Sequence, residues 1–157
     1  SVTYLPNGPD GKIASGTMKI QTGFVVGTPK ALAKNAYKVK GYTFIGWSMN
    51  PFDTEATYLN SGKIEGSYGY DVVLYAIWQK DEYSITYVNM EDFVNSNVVS
   101  YSVDDEIFLE EPHKMGYTFQ GWYSDKKFKK PVYGIPKGST GNKTFYAKWD
   151  YNYKYGK

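Results

Sequence analysis

The chain has 157 residues, a net charge of +2 and no cysteine, so neither a disulfide framework nor a thiolate metal site is open to it. All 18 cationic residues are lysine, which removes the bidentate guanidinium contacts that base and phosphate recognition favours, and nucleic-acid binding is not expected. No run approaches the roughly 18 apolar residues of a membrane span, while 17 Tyr, 8 Phe and 4 Trp supply large buried areas to a small core.

In chain order, Val2 to Leu5 reads as a strand, followed by a turn over Pro6-Asn7-Gly8-Pro9-Asp10-Gly11. Thr17 to Val26 is predicted as a further strand, and Lys30 to Ala36 has the composition of one short helical turn. Gly41-Tyr42-Thr43-Phe44-Ile45-Gly46-Trp47 comes next, then a turn at Asn60-Ser61-Gly62. In Leu74 to Trp78, alternation puts Leu74, Ala76 and Trp78 inward and Tyr75 and Ile77 outward. Gln79-Lys80-Asp81-Glu82 is a polar join too short for a free tether, which predicts end-to-end units with limited swing.

Beyond the join, strands are predicted at Tyr83 to Met90, Val98 to Val103 and Glu106 to Leu109. Gly116-Tyr117-Thr118-Phe119-Gln120-Gly121-Trp122 repeats the earlier heptad. After a turn at Gly138 to Asn142, Thr144 to Trp149 places Phe145, Ala147 and Trp149 on one face and Lys148 on the wet one.

The chain therefore carries one pattern twice, and a fixed internal period marks a tandem array. The offset between copies is 83 residues at Val2/Ile85, 75 at Gly41/Gly116 and 71 at Leu74/Phe145, so length differences fall between the shared blocks. Such insertions belong in loops, because a strand that gains one residue turns its faces over. The reading is two domains, residues 1–80 and 81–150, with 151–157 as the start of a further unit in a longer chain. Lysines exceed acids by three in residues 1–80, while acids exceed lysines by one in 81–157.

The Gly-Tyr-Thr-Phe-x-Gly-Trp block, followed by Leu-Tyr-Ala-x-Trp or Phe-Tyr-Ala-x-Trp, resembles the internalin-type B repeat, also called the Listeria/Bacteroides repeat. The resemblance implies a mostly β domain of ubiquitin-like β-grasp type with little helix. It further implies a non-enzymatic spacer and adhesion module, extracellular on a bacterial surface protein, with no cofactor and a surface protein or glycan as partner. The chain is then a monomeric piece of a longer multidomain protein. By compact-domain scaling each unit has a radius of gyration of about 11 Å and the pair extends about 50 to 60 Å. The alternative is a carbohydrate-binding module appended to a glycan-degrading enzyme, which needs a solvent-facing cluster of aromatic rings.

Trp47 and Trp122 are candidate ligand contacts, since alternation from Phe44 or Phe119 would leave them on the polar face. A bulge at the preceding glycine would return them to the core, and packing is the favoured reading. Trp78 and Trp149 are expected in the core. Lys126, Lys127, Lys129 and Lys130 around Phe128 form a second candidate, for an anionic glycan or surface. The plainer reading is a solvated hairpin tip whose charge guards a sheet edge, partly neutralised by Asp104, Asp105, Glu106, Glu110 and Glu111. Tyr58, Tyr68, Tyr70, Tyr123, Tyr133 and the tail tyrosines are expected to show exposed edges. His113 is the single histidine, so no multi-histidine site is assembled, and the acidic run lacks the alternating oxygen ligands of a calcium loop.

Overall fold

A computed structural model of the chain describes residues 1–66, 71–91 and 94–152. Tyr68, Tyr70, Tyr153 and Tyr155, among the tyrosines expected to be exposed, lie outside the described residues. The chain separates into two compact units, Ser1–Asp81 and Glu82–Lys157. Both are built of strands, and among the described residues the only helical element is a 3-10 turn at Pro9–Gly11.

In the first unit, β1 (Val2–Leu5) lies parallel to β5 (Val72–Lys80), and β5 pairs antiparallel with β3 (Tyr42–Ser48). A small separate pair joins β2 (Pro29–Ala31) to β4 (Lys63–Glu65). In the second unit, β6 (Tyr83–Val88) is parallel to β12 (Lys143–Tyr151), which pairs antiparallel with β9 (Tyr117–Tyr123). Two short edges, β7 (Ser100–Tyr101) on β6 and β10 (Pro131–Val132) on β9, complete the order β10-β9-β12-β6-β7. β8 (Ile107–Phe108) and β11 (Gly134–Ile135) form the smaller pair.

The heptads fold as β3 and β9, and each contains the bulge expected from its glycine. Phe44 faces Trp78 and Gly46 faces Ile77, so Ile45 has no partner across the ladder; Phe119 faces Trp149 and Gly121 faces Lys148, so Gln120 is skipped in the same way. The extra residue reverses the alternation, and Phe and Trp three positions apart come onto one face. Gly46 and Gly121 hold φ of 142° and 130°, a region that an L side chain rarely adopts.

That reversal assembles the cores. In the first unit Trp47 packs on Tyr4 at 4.8 Å and on Phe44 at 4.9 Å, and Phe44 meets Trp78 edge-on at 5.7 Å. In the second, Trp122 packs on Tyr87 at 5.1 Å and on Phe119 at 5.2 Å, and Phe119 meets Trp149 at 5.2 Å. The pairs of Phe44 and of Phe119 are edge-to-face, a geometry that adds about 0.5–1.5 kcal/mol per pair beyond burial. Leu74 and Ala76 in one unit, and Phe145 and Ala147 in the other, close the floor beneath the rings.

Three expectations are corrected. Thr17 to Val26 is not a strand: it makes only isolated bridges, Gln21 with Val2, Val25 with Thr28 and Val26 with Gly66, and Gly23 takes positive φ. Lys30 to Ala36 is not helical, because Pro29 to Ala31 pairs with Lys63 to Glu65 while Leu32 is buried in the core. Ile77 is 2% exposed rather than outward; it lies opposite Gly46, where Ala56 occupies the space a side chain at position 46 would need.

The two central tryptophans differ in one polar detail. Trp122 donates its indole N–H to the Glu110 carbonyl at 3.0 Å, whereas the buried Trp47 N–H has no acceptor among the described residues. A buried donor without a partner is a standing cost of about 1–3 kcal/mol. Replacing Trp47 with Phe removes that cost together with some packing, while Trp122→Phe loses a satisfied bond and leaves the Glu110 carbonyl to its other donor, the Asn97 side-chain amide at 2.9 Å. In urea denaturation, Trp122→Phe is expected to cost its unit at least about 1 kcal/mol more than Trp47→Phe costs the other.

The bulge glycines also differ in surroundings. A Cβ on Gly46 would stand 2.4 Å from both the Ala56 Cβ and the Tyr58 carbonyl oxygen, whereas at Gly121 the nearest atom is a Tyr123 ring carbon at 3.4 Å. Both substitutions carry backbone strain of about 1–3 kcal/mol, and Gly46→Ala adds a clash with backbone. Gly46→Ala is therefore expected to lower the melting temperature more than Gly121→Ala.

Burial of Tyr87 pushes its phenol up to about 12, and burial also raises those of Tyr4, Tyr37 and Tyr101. A raised folded-state value stabilises fully below the ordinary tyrosine range, and that contribution is lost as pH rises towards the folded value. Stability followed by circular dichroism is expected to fall between about pH 10 and pH 12, and Tyr87→Phe is expected to reduce that fall.

Candidate functional site

The sequence candidates separate once they are placed. Trp47 is 0% exposed and Trp122 3%, each under the rings of its own cluster, so neither offers a face to a ligand. Trp78 and Trp149, expected in the core, are half-buried instead. Their inward alternation holds, but they stand on β5 and β12 beyond the buried rows, where the sheet outruns the material covering it. Each indole N–H is satisfied by the turn after the first strand of its unit: Trp78 donates to the Pro6 carbonyl at 2.8 Å and Trp149 to that of Asn89 at 2.9 Å. Asn7 and Asn89, both at positive φ, brace the same turns by donating to the Ala76 and Ala147 carbonyls.

Lys126, Lys127, Lys129 and Lys130 are exposed on the turn joining β9 to the edge strand β10. The turn is held by Asp125, whose carboxylate accepts from the backbone N–H groups of Lys129 and Lys130 at 2.8–3.1 Å. Desolvation works to raise the Asp125 carboxyl, but these backbone bonds outweigh it and the net shift is downward. Phe128, at φ 57°, folds back onto Tyr123 with ring centroids 5.4 Å apart. Among the described residues none of the four ammonium groups makes an ion pair. Of the acids nearby in sequence, Asp105 accepts from Ser102 and Glu110 from Ser96.

Of the tyrosines expected at the surface, Tyr133 is 80% exposed, while Tyr58 and Tyr123 are half-buried. His113 is exposed beside the buried Pro112. Among the described residues no group of three or more His, Asp or Glu is placed to hold a metal ion, and no helix is long and apolar enough to cross a membrane.

One assembly of side chains was not singled out from the sequence. A groove of about 370 Å³ in the second unit is lined by Asn89, Glu91, Lys114, Tyr117, Phe128 and Trp149, with Ala147 and Lys148 also bordering it. Tyr117 meets Trp149 edge-on at 6.5 Å and lies 5.0 Å from Tyr151. Lys114 places its ammonium 4.3 Å from the Tyr117 ring centre and 4.0 Å from Glu91, and Lys148 stands 5.8 Å from the Phe128 ring. These residues come from β9, β12, the turn after β6 and the lysine-rich hairpin tip. The aromatic half was legible as pattern, since Tyr117, Trp149 and Tyr151 continue the inward row; its convergence with Phe128 and two lysines was not.

The first unit builds the equivalent place differently. Tyr42, the counterpart of Tyr117, is 8% exposed and donates its hydroxyl to Asp10 in the Pro9–Gly11 turn. Lys80 reaches the same carboxylate at 3.4 Å, over the Tyr42 ring. A space of about 490 Å³ lies beside Tyr42, Phe44 and Trp78, bordered by Ser15 and the segment from Tyr37 to Lys40.

Comparison with known proteins bears on both units. A protein of Evansella cellulosilytica described as a Gly-rich membrane protein is 32% identical over 116 residues, covering 72% of this chain and 13% of that protein. A second from the same organism, described as a membrane protein, is 28% identical over 116 residues, covering 72% of this chain and 16% of its own length. The chain thus spans less than a fifth of the relatives it matches, and the aligned stretch is longer than either unit, so it takes in parts of both. No solved structure matches the chain. Residues 83–148, which run from the start of β6 almost to the end of β12, match the Listeria-Bacteroides repeat domain.

Proposed function

We propose that the chain is two tandem repeats of the Listeria-Bacteroides type, of the sort also called internalin B repeats, and that they act as a non-enzymatic spacer and interaction module at a bacterial cell surface. The observation that carries this reading is the doubled ring cluster. Tyr4, Trp47, Phe44 and Trp78 in the first unit stand in the same sequence of contacts as Tyr87, Trp122, Phe119 and Trp149 in the second. The family match lies in the second unit, and the shared bulge, parallel strand pair and ring cluster extend the reading to the first. The order β10-β9-β12-β6-β7, with first and last strands parallel at the centre, supports a β-grasp lineage in which β8 and irregular chain stand where a helix would pack.

A spacer needs units that are separately stable and a join that limits swing. Each unit has its own buried cluster, and the chain passes directly from β5 to β6 through Asp81 and Glu82. The membrane-protein description of the relatives supports placement outside the cell, on a longer chain. Small-angle scattering of the 157-residue chain tests the mechanical part. A maximum dimension of about 50–60 Å or more is expected for end-to-end units, and a compact particle with the units folded together overturns the spacer.

A further inference from the structure

We propose that the groove between Tyr117, Trp149 and Phe128 in the second unit is a binding site for an anionic polysaccharide, a chain of pyranose rings bearing carboxylate or sulfate groups. The inference goes beyond the spacer reading and does not depend on it.

The aromatic side of the groove is arranged for sugar rings. Tyr117 and Trp149 stand at 80° to one another, forming a corner in which an apolar pyranose face can lie on one ring against the edge of the next. The Trp149 orientation is fixed by its hydrogen bond to the Asn89 carbonyl, so little side-chain freedom is lost when a ligand is covered. The Tyr117 hydroxyl makes no hydrogen bond among the described residues, which leaves it available to a sugar hydroxyl. Glu91, with its side chain 76% exposed, supplies an acceptor at the rim.

The charge around the rings selects the class of sugar. Lys114 and Lys148 flank the groove, and Phe128 brings with it the hairpin tip carrying Lys126, Lys127, Lys129 and Lys130. Among the described residues Glu91 is the one acid lining the groove, and it meets Lys114 at 4.0 Å. The local field therefore favours an anion, although the second half of the chain is net acidic by sequence. A neutral glycan would use the rings and leave the lysines idle, whereas a small anion would use the lysines and leave the rings idle. An anionic polysaccharide engages both. In the first unit the counterpart space beside Tyr42 and Trp78 differs, because the Tyr42 hydroxyl is taken up by Asp10.

Calorimetric titration of the whole chain with polygalacturonate, dextran sulfate and neutral dextran at physiological ionic strength tests the proposal. Saturable binding of polygalacturonate or dextran sulfate is expected, with neutral dextran much weaker; whichever anionic probe binds identifies the carboxylate or sulfate source. The double variant Lys114→Gln/Lys148→Gln, and separately Phe128→Ala, should each weaken binding at least about tenfold at unchanged melting temperature. Hydrogen exchange of the unmodified chain, with and without the bound probe, should show protection at residues 114–117 and 147–150, which keeps the test informative if a variant unfolds. The proposal is overturned if no anionic probe binds, or if protection falls elsewhere. It is equally overturned if neutralising Lys126, Lys127, Lys129 and Lys130 abolishes binding while the groove variants bind as before, since the tip would then act as a simple charge.

Discussion

Everything in each unit hangs on one inserted residue in the strand that carries the heptad. Without the bulge, Trp47 and Trp122 would point away from Phe44 and Phe119, and a unit of about 80 residues would lose the largest side chain in its core. Small domains have little buried area to spare, so the loss would not be made good elsewhere. Glycine is required because the bulge is built at φ of 130–142°, where a Cβ is strained even in open space. The second requirement, a small residue on the facing strand, is met by Ala76 and Ala147, which lie opposite the two tryptophans. A larger side chain there would compete with the indole for one volume.

This constraint explains why so much of the core could be read from the sequence. Gly-Trp within a strand pattern, written twice, already implied a bulge and an inward indole. The Leu74-Ala76 and Phe145-Ala147 alternation gave the opposing row, because period two is reliable where one face is buried and the other wet. The failures share a different physics. Lys30 to Ala36 has helix-favouring composition, yet propensity over seven residues is a weak prior beside the pull of a core that buries Leu32. Thr17 to Val26 has strand-favouring composition, but most of it finds no partner, and a strand exists only where a neighbour completes its hydrogen bonds. Ile77 was misplaced because the loop after β3 returns to cover a position that alternation assigns to water.

The candidate site was less legible than the fold. Trp47 and Trp122 drew attention because they sit in a conspicuous motif, and that motif exists to bury them. The rings with an accessible face are the ones at the end of the same row, where β9 and β12 run on past the covering chain. No local pattern announces that end, since it depends on how long the strands are relative to what packs above them. Phe128 and Lys148 are twenty residues apart in sequence and meet because a turn at positive φ folds the phenyl ring back over the sheet.

The contrast between the two units shows how one framework can yield two differently bordered ends. The stretch between the first strand and the heptad strand runs over residues 6–41 in the first unit and 89–116 in the second, and the longer version spends its extra length on cover. It sets Asp10 over Tyr42 and pairs Ser15 with Lys38, so the end of the aromatic row is bordered by backbone and an acid. In the second unit Lys114, Lys148 and Phe128 of the hairpin tip border the row instead. The core cannot vary between copies, because the bulge, the indole and the facing alanine fit only as a set. Loop length can vary at little thermodynamic cost, and it decides which charges and which backbone border the end of an aromatic row.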